Sequence, residues 1–163
     1  PAPYSFFNVF PYRPPIVGFS SGGEKDSVVN ARETGAFTWN LVSRDLAEAM
    51  NASSATVKPD VDEFALSGLD MLPGIDTPAP RVAASPVQFE CKVTEIQPLK
   101  TLAGAPGGYI LVLGEVVRIH IDTAHIVDGV YQTTSPVPVA RGGGVADYFE
   151  IRPDTLFQMA RPR

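Results

Sequence analysis

Two long segments, Val87 to Leu99 and Tyr109 to Asp122, constrain the fold of this chain more than any other feature. Both are rich in the β-branched and aromatic residues of strands, and the glycine-rich turn from Ala103 to Gly108 between them predicts an antiparallel pair. Long antiparallel strands of this kind are the natural wall of a barrel. Gly114, inside the second strand, predicts a bulge or bend that lets a small barrel curve. Val87, Phe89, Cys91 and Val93 share one face of the first strand, because side chains alternate with a period of two. Cys91 is the only cysteine. That excludes an internal disulfide and any multi-cysteine metal site, and its apolar surroundings read as those of a core thiol.

A second informative stretch runs from Gly18 to Ser27, where an apolar strand passes into Ser20, Ser21, Gly22 and Gly23, then Lys25, then a helix start at Asp26 or Ser27. Glycines let backbone N–H groups converge, serines donate hydroxyls, lysine brings a point charge, and a helix start presents unpaired N–H groups with the positive end of its dipole. Those are the parts of a phosphate pocket. The spacing matches neither a Gly-x-x-x-x-Gly-Lys-Ser/Thr loop nor a Gly-x-Gly-x-x-Gly turn, so it is not read as an ATP or Rossmann site. The same ten residues also suit an ordinary capped strand-to-helix turn.

The remaining punctuation predicts a mainly β chain with short helices. Ile16 to Ser20 reads as a buried strand after Pro14-Pro15, Asp26 to Thr34 as a helix stopped by Gly35, and Phe37 to Val42 as a strand. Ser43 precedes a helix from Arg44 to Asn51, and Glu63 to Ser67 reads as a single helical turn after a loop from Lys58 to Asp62. The proline, glycine and aspartate content of Asp70 to Pro80 predicts an exposed connection. A tight turn falls at Asp128-Gly129, and Gly142-Gly143-Gly144 suits either close approach of a ligand or a flexible loop.

The 163 residues are enough for one domain, 1–163, with a sizeable core, and 44% hydrophobic with 19% charged residues is ordinary for a globular protein. A net charge of −5 with scattered basic residues argues against a nucleic-acid partner. No apolar run reaches the roughly 18 residues of a membrane helix, and with one cysteine and no recognisable signal peptide a cytoplasmic location is expected. No Ser-His-Asp order or His/Glu metal spacing is present, so hydrolysis and metal chemistry are unsupported. His120 reads either as a packed strand histidine or as a site residue, His125 as solvated, and Asp62-Glu63 as a loop end.

Over nearly its whole length the chain resembles the flavin reductase-like, FMN-binding split-barrel family. The matching segments are Ala2-Pro3-Tyr4-Ser5-Phe6-Phe7-Asn8, Pro14-Pro15-Ile16-Val17-Gly18-Phe19-Ser20-Ser21, and Lys25-Asp26-Ser27 with Asn30, Glu33, Thr34, Gly35 and Phe37. Further matches are Asn40-Leu41-Val42, Leu46 to Asn51, Val61 to Phe64 with Gly68-Leu69, Ser85-Pro86-Val87 with Phe89-Glu90-Cys91, Gly114 to Val117 with His120, and Pro138 to Arg141 before Gly142-Gly143. The resemblance implies a Greek-key antiparallel split β-barrel, with its N-terminal strands missing from this sequence and one barrel edge open. It implies FMN, with FAD or riboflavin as a substrate, and NADH or NADPH as donor. It further implies that Ser5, Phe6, Phe7 and Asn8 border the flavin ring, that Ser20, Ser21, Lys25, Asp26 and Ser27 hold the phosphate, and that His120 lies near the flavin. A homodimer is implied, with a monooxygenase or another electron-acceptor protein as partner. The expected activity is NAD(P)H:flavin reduction. The alternatives are a non-enzymatic FMN electron carrier and a split-barrel binding module that has lost flavin.

Overall fold

In the computed structural model, which describes residues 1–162, the chain opens with a hairpin of β1 (Phe7–Tyr12) and β2 (Pro15–Gly22), then α1 (Asp26–Thr34) and β3 (Ala36–Asn40). A 3-10 turn at Arg44–Leu46 leads into α2 (Ala47–Ala52), followed by α3 (Glu63–Ser67), β4 (Met71–Leu72) and β5 (Arg81–Val82). The long hairpin is β6 (Val87–Lys100) and β7 (Pro106–Ile121), after which come β8 (Ile126–Val127), β9 (Val130–Tyr131), β10 (Val139–Arg141) and β11 (Tyr148–Glu150).

Five of these strands make one antiparallel sheet in the order β1-β2-β7-β6-β3. Although β1 and β3 are its two edges, the rings of Phe7 and Trp39 stack with centroids 5.3 Å apart at 15°. The sheet has therefore curled until its edges meet through side chains rather than backbone hydrogen bonds, which is a split barrel. Inside it Phe19, Val28, Ala31, Ile110 and Val112 form one buried cluster, and Val17, Cys91 and Val116 another. Apolar residues at the period of each strand are what close that core.

The curl has identifiable devices. Opposite Gly114 and Leu113, β6 carries the extra residue Thr94, and opposite Glu90 and Cys91, β7 carries the extra residue Val117. Both are bulges, which bend and twist the ladder. Gly114 itself makes room: a Cβ there would sit 2.5 Å from the Phe37 ring and 3.1 Å from the Cys91 Cβ. Gly114→Ala is expected to lower stability by about 1–3 kcal/mol through overpacking, measured as a shift in the urea midpoint, whereas an unchanged midpoint would show that the ring moves freely.

The helix boundaries follow local chemistry. Gly35 and Gly68 end α1 and α3 in the left-handed conformation that only glycine adopts without strain, and the Asp62 carboxylate accepts from the Phe64 amide to start α3. The expected connection from Asp70 to Pro80 is not simply exposed. It holds β4, which pairs with β5, and it buries Thr77 against β6.

Candidate functional site

The candidate site grows from the β1–β2 hairpin. Alternation places Val17, Phe19 and Ser21 inward, where all three are buried, and Gly18 and Ser20 outward. On β1 the register sets Phe7 opposite Phe19 and Asn8 opposite Gly18. Phe6, Asn8 and Phe10 therefore share the outer face, where Phe6 and Phe10 are exposed and Tyr109 meets Phe6 edge-on. A Cβ at Gly18 would lie 2.5 Å from the Leu113 side chain and 3.0 Å from the Phe10 ring, so glycine is what lets these side chains close over the strand.

β1 also has a free edge. The Ser20 amide donates to the Phe6 carbonyl at 2.9 Å, so Ser5 and Phe7, which alternate with Phe6, turn their backbone groups away from β2. Beyond β2 the chain passes through Gly22 to Lys25. The Ser21 hydroxyl is buried and donates to the Gly23 carbonyl at 3.0 Å, which fixes this loop, and the Lys25 amide donates to the same carbonyl. The Asp26 and Ser27 amides are the first two of α1 and have no intrahelical acceptor. Exposed Lys25 sits at the N-cap.

Ser5, Phe7, Asp26 and Ser27 line one cavity of about 710 Å³, walled by Phe19, Phe37 and Trp39. Phe6, Asn8 and Ser20 lie on the outer sheet face, and Lys25 on the loop beside the helix start. Ser20 and Ser21 do not converge: adjacent strand residues point to opposite faces, and the Ser21 hydroxyl is committed to the loop. His120 does not join the group. It does not line this cavity, and its Nε2 is bonded to Glu90 instead.

A protein-family model, the flavin reductase like domain, matches residues 2–137. The chain belongs to the flavin reductase-like family. An uncharacterised protein of Halalkalibacterium halodurans is 33% identical over 148 residues, which are 88% of this chain and 70% of that relative. Nitrilotriacetate monooxygenase component B from Bacillus cereus superposes with a TM-score of 0.87 at 27% identity, covering 97% of this chain and 78% of the other. A Shewanella frigidimarina protein described as a flavin reductase with a split barrel domain gives 0.82 at 25% identity, covering 98% and 77%. The flavin reductase-like chain is thus a member of a flavin-related oxidoreductase family. Among its described residues no helix is long and apolar enough to cross a membrane.

The structure of this flavin reductase-like chain also contains a buried charged group to which the sequence reading gave no role. Glu90 is fully buried on β6 and accepts from the Ile75, Asp76 and Thr77 amides at 2.8–3.0 Å, from the Thr77 hydroxyl at 3.1 Å, and from His120 Nε2 at 2.7 Å. Its only sequence signal is a carboxylate two residues beyond Gln88, on the face of β6 opposite Phe89 and Cys91. Cys91 is buried as expected, and desolvation pushes its thiol up to about 12, with no place in thiolate chemistry.

Proposed function

We propose that this chain is an FMN-binding oxidoreductase that takes hydride from NADH or NADPH onto flavin and passes the electrons to an acceptor. The observation that carries this reading is the continuity of the free β1 edge, the Gly22–Lys25 loop and the uncapped start of α1, in a chain of the flavin reductase-like family. A flavin needs donors and acceptors along its polar rim, apolar groups over its faces, and a cationic, amide-rich pocket for its phosphate. The residues present fit those needs. Ser5 to Asn8 would border the ring, and Ser20, Lys25 and the Asp26 and Ser27 amides would hold the phosphate. Ser21 supports the loop from inside, and His120 takes no part in this site.

When bound, flavin supplies the hydride-accepting chemistry. The protein's own part is to fix the ring along one strand edge, exclude water with the apolar wall of Phe7, Phe37 and Trp39, and leave one face open to the donor. Exposed Phe6, Phe10 and Tyr109 support a homodimer closed over the outer sheet face. The likeness to a monooxygenase component B supports a monooxygenase as the electron acceptor. The reading further has residues 1–163 act as one domain and places the protein in the cytoplasm.

An absorbance spectrum taken after adding FMN and removing the excess, followed by anaerobic NADH and NADPH, tests this function. Bands near ~370 and ~450 nm that bleach rapidly with either donor are the expected result, since oxidised flavin absorbs there and reduced flavin does not. Retained flavin that resists both donors would replace the reductase with an electron carrier. A protein that retains and titrates no flavin would overturn the reading.

A further inference from the structure

The segment between β4 and β5 closes one side of the apolar cavity without the means to pair there as a strand. Pro78, Ala79 and Pro80 line the cavity together with Thr38 and Trp39. Prolines have no N–H to give, so of these three residues only Ala79 brings an amide, and among the described residues no ladder joins them to β3. Thr38 and Trp39 point to opposite faces of β3, an edge of the sheet. The cavity therefore wraps that edge, and the segment stands beside it.

Side chains hold the segment instead, and they come from one face of the sheet. The register sets Thr38 opposite Glu90 and Trp39 opposite Phe89, so Glu90 and Thr38 share the face away from Trp39. The Thr38 hydroxyl donates to the Pro80 carbonyl. Fully buried Glu90 receives the amides of Ile75, Asp76 and Thr77 and the Thr77 hydroxyl. Asp76 pairs with Arg118 at 2.8 Å, and the Val82 amide donates to Asn40 Oδ1 at 2.9 Å. Of these ties the three amides on one carboxylate are the strongest, because charge-assisted hydrogen bonds are about twice as strong as neutral ones. Between the ties the backbone folds back on itself. A Cβ at Gly74 would collide with the Thr77 carbonyl oxygen and lie 2.8 Å from that of Ala79, so the grip on residues 75–77 carries through to 79.

We infer that Glu90 is a positioning residue for the cavity: through the amides of Ile75 to Thr77 it fixes Pro78 to Pro80 as a wall against which a bound flavin ring packs. Glu90 touches no ligand itself. Its role rests on the flavin reading of this cavity. The wall serves the ring and not the phosphate, since Pro78, Ala79 and Pro80 offer apolar surface and no cation.

Trp39 is the only tryptophan, so acrylamide quenching of its fluorescence in the flavin-free protein reads the wall, and titration with FMN and riboflavin reads the effect on binding. Glu90→Gln is compared with the wild type without denaturant, where the far-UV circular dichroism of the two coincides. The variant is expected to show stronger quenching of Trp39 and to bind FMN and riboflavin alike more weakly, by roughly tenfold, the scale of one lost hydrogen bond. A carboxylate that served stability alone would leave the folded variant with wild-type quenching and wild-type affinity. If Glu90→Gln does not fold, Thr77→Val decides: it keeps the β-branched shape, removes one donor to Glu90, and is expected to act in the same direction. Unchanged quenching overturns the inference, as does raised quenching with unchanged affinity for both flavins, or a weakening confined to FMN. A wild type that binds neither flavin is a separate failure, which overturns the flavin reading and takes this role with it.

Discussion

Replacing Glu90 with alanine is expected to cost about 3–5 kcal/mol of stability, the scale on which removing one partner of a buried charged network acts. The carboxylate accepts from the Ile75, Asp76 and Thr77 amides, the Thr77 hydroxyl and His120, and all of these donors would be left facing a void. Glu90 also anchors the segment after β4 to the barrel wall, so the loss spreads beyond one side chain. Burial by itself would push this carboxyl up. The hydrogen bonds from the Ile75 amide, His120, the Asp76 amide and Thr77 outweigh burial and hold it down at about 2, against an ordinary value of 4.5.

The sign of the pH effect follows. A carboxyl lowered on folding contributes stability that is fully present above its unfolded value and is lost as pH falls through the folded one. For Glu90 the contribution is on the order of 3 kcal/mol, complete above about pH 4.5 and gone below about pH 2. Urea unfolding of the wild type and Glu90→Gln from pH 7 to pH 2 checks this. The wild type should lose more stability than the variant across that acid window. Parallel curves would mean that the carboxylate is not the acceptor that holds the segment in place.

Lys25→Ala is expected to weaken FMN binding by about 1.5–3 kcal/mol and to leave riboflavin, which lacks the phosphate, unchanged. The comparison is clean because Lys25 occupies the N-cap of α1 without any side-chain capping hydrogen bond and is exposed, so alanine removes charge and little structure. Isothermal titration with both ligands makes the measurement. Equal weakening of FMN and riboflavin would assign Lys25 to folding of the loop, and no weakening of either would remove it from the phosphate pocket.

What the sequence revealed of the fold depended on how local the cause was. The β6–β7 hairpin, α1 with Gly35, α3 with Gly68 and the Asp128-Gly129 turn rest on periodicity and turn chemistry within a few residues, and they formed where those signals stand. β1 carries no clear strand signal, because Phe6 to Tyr12 is interrupted by Pro11 and, Asn8 apart, is apolar on both faces, so no alternation marks it. The separation of Ser20 from Ser21 was readable in principle from the period of β2. The role of Glu90 was not, because its donors come from a loop 13 to 15 residues earlier and from a strand 30 residues later.

The stacking of Phe7 on Trp39 gives the barrel wall a seam. Along every other line of the five-stranded sheet the wall is stitched by backbone hydrogen bonds that break only at the cost of unpaired groups. At this one line it is held by two rings and their dispersion contacts, which can slide and part without orphaning an amide. This seam, which borders the apolar cavity, is therefore the one line along the five-stranded sheet where the wall can part without breaking a backbone hydrogen bond between strands.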